Sequence, residues 1–163
     1  MNNPKSPIPK SETADTDPGF DSEVALLIDL LKLGTFIGGP MREGVADPMN
    51  ITTTDLRVVL ALGGEGELAG HELSEIMGVA PMNVSRAVSS LIERGLVEPG
   101  FDQTNRRRKP VRLTDAGQAL FARTLPAMAK VSADLFKGVP ARDREAFRRT
   151  AATILDRIGR WMT

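Results

Sequence analysis

Cysteine is absent from this 163-residue chain. Its absence excludes disulfides, thiolate metal ligands and thiol redox sensing, and it fits a reducing cytosol. Histidine occurs once, at His71, beside Glu72 and Glu75. Without a second histidine or a thiolate this is no transition-metal set, so neither a metal nor a cofactor is expected. Net charge is lacking too, because 21 Lys and Arg balance 21 Asp and Glu. Bulk charge therefore implies no nucleic-acid partner. No apolar run approaches the ~18 residues of a membrane span, and the polar start is not a signal sequence. The expectation is a soluble, cytoplasmic protein without a membrane partner. Ser85, Ser89 and Ser90 have no neighbouring base, and "GGEGELAG" lacks the Gly-Lys-Ser/Thr of a phosphate loop. No catalytic constellation assembles, and the chain reads as no enzyme.

What is present is an uneven layout. Residues 1–20 carry four prolines and, up to Gly19, no large apolar residue except Met1 and Ile8, and read as a disordered tail. The rest, 21–163, reads as a single domain. "SEVALLIDLLKLGTFI" is densely apolar at helical spacing, and "GGPMREGVADP" is expected to break it. "TTTDLRVVLALGG" restarts a helix, with Thr52 to Thr54 as cap candidates and Gly63 and Gly64 as the stop. "GHELSEIMG" is a short helix closed by Gly78. "PMNVSRAVSSLIERG" opens with Pro81, well placed at a first helical position, and closes near Gly95. "LVEPGF" and "PVRLT" are short strands around the polar turn "DQTNRRRK". Thr114 is expected to cap a long helix to about Phe136, kinked at Pro126. A last helix runs from about Ala141 to Trp161. The fold class is mainly α with a small β-hairpin.

The charges are not mixed. Between Met82 and Arg112, the cations Arg86, Arg94, Arg106, Arg107, Arg108, Lys109 and Arg112 face only Glu93, Glu98 and Asp102. On a wheel of ~3.6 residues per turn, Val84, Ala87, Val88 and Leu91 share one face of "PMNVSRAVSSLIERG". Met82, Arg86, Ser89 and Glu93 lie opposite, with Asn83, Ser85 and Ser90 on the shoulders; the glutamate, not ideal for an anion partner, lies far down the helix. A face that is small and polar near its N-terminus is what a recognition helix offers to base edges, and arginine can bind phosphate or guanine. Any solvent-facing amphipathic helix shares that pattern. The succession is more specific: a short helix, a "GVA" turn, a polar-faced helix and a basic hairpin are the helix-turn-helix pattern with a wing. Met82, Asn83, Ser85, Arg86, Ser89, Arg106, Arg107, Arg108 and Lys109 are the candidate DNA-contacting residues.

"ELSEIMGVAPMNVSRAVSSLIERGLVEPGFDQTNRRRKPVRLTDAG" resembles the winged helix-turn-helix core of MarR-type transcriptional regulators, through "VSR", "LIERGLVE", the Arg-Arg wing and "LT-x-x-G". The resemblance implies a winged core at about 52–114, with dimerisation helices at about 22–38 and 115–162. It implies a homodimeric repressor on a pseudopalindromic double-stranded operator. Ser85 and Arg86 would contact DNA, and one of Arg106 and Arg107 would enter the minor groove. A small aromatic or carboxylate ligand would sit between the dimer helices and the core, in the region of Phe36, Met41, Met49, Arg57 and Leu60. Two residues depart from the family. Asn105 stands where an aspartate is usual, with Asp102 as its candidate substitute, and Pro110 begins the returning strand, where it cannot donate a ladder hydrogen bond. The competing reading is a winged-helix protein-interaction module without DNA binding.

Overall fold

The computed structural model describes residues 22–105 and 107–161. The expected tail at 1–20 and the candidate Arg106 lie outside these residues. The chain divides at Gly38 into two units.

Helix α1, Ser22–Phe36, is the described part of the first unit and buries none of its residues. Leu26, Leu27, Leu31 and Leu33 are each more than half exposed. Between Val24 and Met41 only Asp29 and Lys32 are charged. By length and composition, the helical stretch Ser22–Met49 is sufficient to cross a membrane. This corrects the sequence reading that no such run exists. Glycine, threonine and proline interrupt the leucines there, and they lower apolarity less than ions do.

Helix α2, Gly38–Met41, begins on the last residue of the first unit, and the second unit continues with a π-helical segment, Arg42–Ala46, and a 3-10 turn, Asp47–Met49. The expected break in "GGPMREGVADP" is thus a change of helical pitch. Val45 and Ala46 anchor it, both fully buried. Gly44 lies against Val131 so closely that a Cβ would overlap that side chain.

Helix α3, Thr53–Glu65, starts from a reciprocal cap. Thr52 Oγ1 accepts from the Asp55 N–H, and Asp55 accepts from the Thr52 N–H, both at 3.0 Å. This pairing accounts for a carboxylate that is only 4% exposed. The helix passes through Gly63 and Gly64 and ends at Gly66, which has φ +89°. The expected stop was two residues early, because Gly63 serves packing against Phe121 rather than termination.

Strand β1, Leu68–Ala69, leads into α4, Gly70–Met77, and Gly78 closes it at φ +58°. Helix α5, Pro81–Glu93, begins with Pro81 as expected. Strands β2, Val97–Pro99, and β3, Pro110–Leu113, follow, then α6, Asp115–Leu135, and α7, Ala141–Trp161. Thr114 caps α6 through the Gly117 N–H at 3.1 Å. Pro126 lies inside α6, which runs as one helix.

The sheet has three strands in the order β1-β3-β2, all antiparallel. The sequence reading had only two, because the buried pair Leu68–Ala69 is too short to show alternation. Pro110 is the first residue of the central strand, a position that needs no further donor. The core gathers Leu56, Val59 and Leu62 of α3, Leu73 of α4, Val84 and Leu91 of α5, Leu113 of β3 and Leu120 of α6. Helices α4 and α5 both pack on α3. The unburied face of α5 is left to the solvent.

Candidate nucleic-acid interface

Helix α5 buries Val84, Ala87 and Leu91. Its period therefore turns Met82, Asn83, Ser85, Arg86 and Ser89 outward, and all five are exposed. Met82 is the conspicuous member, a large apolar side chain 65% exposed at the second helical position. Arg86 makes no ion pair or hydrogen bond within the described residues. It lines a polar notch with Thr52, Thr54, Asn83 and Ser90, where the start of α3 faces α5.

The wing follows from β2. Its backbone ladder runs from Val97↔Leu113 to Pro99↔Val111, and one further bond joins the Gly100 N–H to Pro110 O at 2.8 Å. Beyond that point side chains shape the turn. Asp102 Oδ1 accepts from the Thr104 hydroxyl, the Thr104 N–H and the Asn105 N–H at 2.8, 2.9 and 3.0 Å. These bonds, with Arg108 beside them, hold the Asp102 carboxyl far below the usual carboxylate range. Asn105 Oδ1 in turn accepts from the Arg107 N–H at 3.1 Å. An amide is sufficient for this backbone capping, so the family's missing carboxylate at 105 is not needed for the turn itself.

The cations then divide into two groups. Arg107 and Lys109 are exposed, and their side chains have no partner among the described residues. Arg112 is held by Glu98 at 2.8 Å and Glu67 at 3.4 Å. Arg108 turns inward. Its Nε donates to Glu72 Oε1 at 3.1 Å and its Nη2 to Glu72 Oε2 at 2.7 Å. Nη1 reaches Asp102 Oδ2 at 3.2 Å, and Nη2 also reaches the Glu67 carbonyl at 3.1 Å. The Arg108 guanidinium lowers the Glu72 pKa, helped by the Ala69 N–H, which donates to the same carboxylate at 2.6 Å. Arg108 is thus the one described wing candidate not presented as a free cation. Sequence reading passed over Glu72, which stood out only as a neighbour of His71. Among the described residues no three His, Cys, Asp or Glu side chains gather into a metal site.

Of the ligand candidates, Met41, Met49 and Leu60 pack against the core, and Arg57 is exposed. Phe36 is on α1, in the first unit.

Helix, tight turn, outward-facing second helix and β-wing define a winged helix-turn-helix protein. Residues 49–108 match the family model described as MarR family. The fold is that of MarR-family transcriptional regulators. It is similar to a MarR-family transcriptional regulator from Silicibacter pomeroyi, with 25% identity, TM-score 0.72, and coverage of 85% of this chain and 92% of that one. The transcriptional regulator BldR from Sulfolobus solfataricus matches at 20% identity and TM-score 0.75, covering 84% and 96%. BpsR from Bordetella bronchiseptica, whose DNA binding is regulated by 6-hydroxynicotinic acid, matches at 20% identity and TM-score 0.68, covering 81% and 98%. No curated protein matches the sequence.

Proposed function

We propose that the protein is a cytoplasmic, sequence-specific DNA-binding regulator, a homodimeric repressor released by a small aromatic or carboxylate ligand. The observation that carries this reading is a pair of exposed surfaces whose cations have no ion-pair partner among the described residues. One is the exposed face of α5, with Met82, Asn83, Ser85, Arg86 and Ser89; the other is the wing, with Arg107 and Lys109. The α5 face suits base edges, and the wing cations suit phosphates or a narrow minor groove. Arg106, from the resemblance, would join the wing cations.

Dimerisation is supported by α7. This 21-residue helix buries none of its residues, although Phe147, Leu155, Ile158 and Trp161 form an apolar stripe with Trp161 93% exposed. The same need holds separately for α1. In this reading the winged core at about 52–114 is carried by dimerisation helices at about 22–38 and 115–162, and a second copy covers them. Ligand release is supported by the regulation of BpsR, and Met41, Met49, Arg57, Leu60 and Phe36 are the residues to vary.

The test is selection of bound duplexes from a random DNA pool. A pseudopalindromic sequence with half-sites about one helical turn apart is expected. Failure to enrich any sequence would remove the DNA reading in favour of a protein-interaction module. Aromatic acids added to the complex should then release DNA, and a full panel without effect would remove the ligand.

A further inference from the structure

Arg108 spends its hydrogen-bonding capacity inside the protein, in a place that matters for the geometry of the whole interface. The last bond of the ladder is Gly100 N–H to Pro110 O, and the next backbone bond, Arg108 N–H to Asn105 O at 3.0 Å, closes the tip on itself. Between them, the orientation of the tip depends on side chains. Asp102 organises the turn, and Glu72 organises the entrance of α4 by accepting from the Ala69 N–H. One guanidinium bridges both carboxylates, and the fork on Glu72 is bidentate. It is partly shielded, with 27% of the Arg108 side chain exposed. Arginine suits this task because its planar donors fix direction as well as distance, which a lysine cannot do. Helix α4 packs on α5, so the bridge connects the wing to the element that carries the recognition helix.

We infer that Arg108 is a positioning residue: through Glu72 and Asp102 it locks the wing to the entrance of α4, and so sets Arg107 and Lys109 in register with the outer face of α5, without itself contacting DNA. The inference rests on the DNA-binding reading above. Two rivals give different signs. If Arg108 neutralised a phosphate, losing it would flatten the salt dependence of binding. If Glu72 and Asp102 held Arg108 away from DNA, removing their charge would tighten binding.

The experiment uses a duplex selected by the wild-type protein and a scrambled duplex of equal length, with affinities measured across a potassium chloride titration. Arg108→Gln is expected to weaken the selected duplex about tenfold, the scale of losing charged hydrogen bonds. The scrambled duplex should bind unchanged and the salt slope should stay the same. Arg108→Lys should recover part of the loss, and Glu72→Gln and Asp102→Asn should weaken the selected duplex in the same direction. A misfolded variant would lose both duplexes; Arg108→Lys, which keeps the charge, is then the deciding variant by the same two readouts. A slope reduced by about one in Arg108→Gln, or tighter binding by Glu72→Gln, would overturn the inference. If the wild type selects no duplex at all, the DNA reading itself fails and takes this inference with it.

Discussion

The ring of Phe121 on α6 lies directly over the backbone of Gly63 in α3, close enough that a Cβ at residue 63 would overlap the ring. One helical position later, Gly64 has nothing within 4 Å of where its Cβ would be. Adjacent glycines therefore have opposite reasons to exist. Gly63→Ala should overpack the α3–α6 contact and cost about 1–3 kcal/mol. Gly64→Ala should be neutral or stabilise the helix by roughly 0.5–1 kcal/mol. Thermal melting of the two variants should move in different directions, and a stable Gly63→Ala would refute the close contact.

The wing cations should behave as phosphate partners. Arg107→Ala and Lys109→Ala should each weaken binding across all duplexes and lower the salt slope by about one. The same titration applied to Arg106→Ala decides whether that residue joins them. Equal affinities and slopes in all three variants would remove the wing from the interface.

Met82 should read a thymine. Its side chain is exposed beside Arg86 and Ser89 on the outer face of α5, and the methyl group of thymine is the apolar feature of the major groove. Replacing single thymines of the selected duplex by deoxyuridine should cost the wild type about fourfold at one position per half-site, the scale of burying one methyl group. Met82→Ala should show no such penalty at that position. Identical penalties in both proteins would assign the contact elsewhere.

Acid should loosen the wing before it unfolds the core. The native pKa values of Asp102 and Glu72 are both lowered, Asp102 chiefly by the Thr104 hydroxyl and Glu72 chiefly by Arg108. Each stabilisation is therefore complete above the ordinary carboxylate range, about pH 4, and is lost as pH falls from there through the lowered native value. Amide exchange at Thr104 and Asn105 should gain protection as pH rises through this window, after correction for intrinsic rates. Asp102→Asn should flatten that dependence, and an unaltered profile in the variant would contradict it.

The stripe on α7 should hold two copies together. Leu155→Glu places a charge on a residue that is 67% exposed in the single chain, so it should leave the monomer folded. Sedimentation should show the variant shifted toward monomer at concentrations where the wild type is dimeric. A wild-type mass that stays monomeric at every concentration would reject the dimer outright.

Legibility in the sequence followed how local each signal was. Pro81 at the start of α5, Thr114 before α6 and Gly78 after α4 act within one turn of chain, and each was readable from residue type. The outward face of α5 was readable for the same reason, since Val84, Ala87 and Leu91 fix its period. Features that depend on distant partners were not readable. Gly63 looked like a stop because Phe121 is remote in sequence, and β1 was invisible because its two residues gain meaning only beside Val111 and Pro110. The run of cations looked uniform for the same reason: Glu72, 36 residues away from Arg108, separates that arginine from its neighbours.

Pro110 and Gly100 close the regular ladder, and beyond them Asp102 and Asn105 cap the turn while Arg108 ties it to Glu72. The tip is therefore a replaceable cartridge. If Gly100, Asp102, Thr104, Asn105 and Arg108 are kept, with Glu72 to receive the arginine, exchange of the remaining loop positions is expected to leave the sheet beneath as it is. Groove preference could then diverge between descendants, or be engineered, at the wing alone.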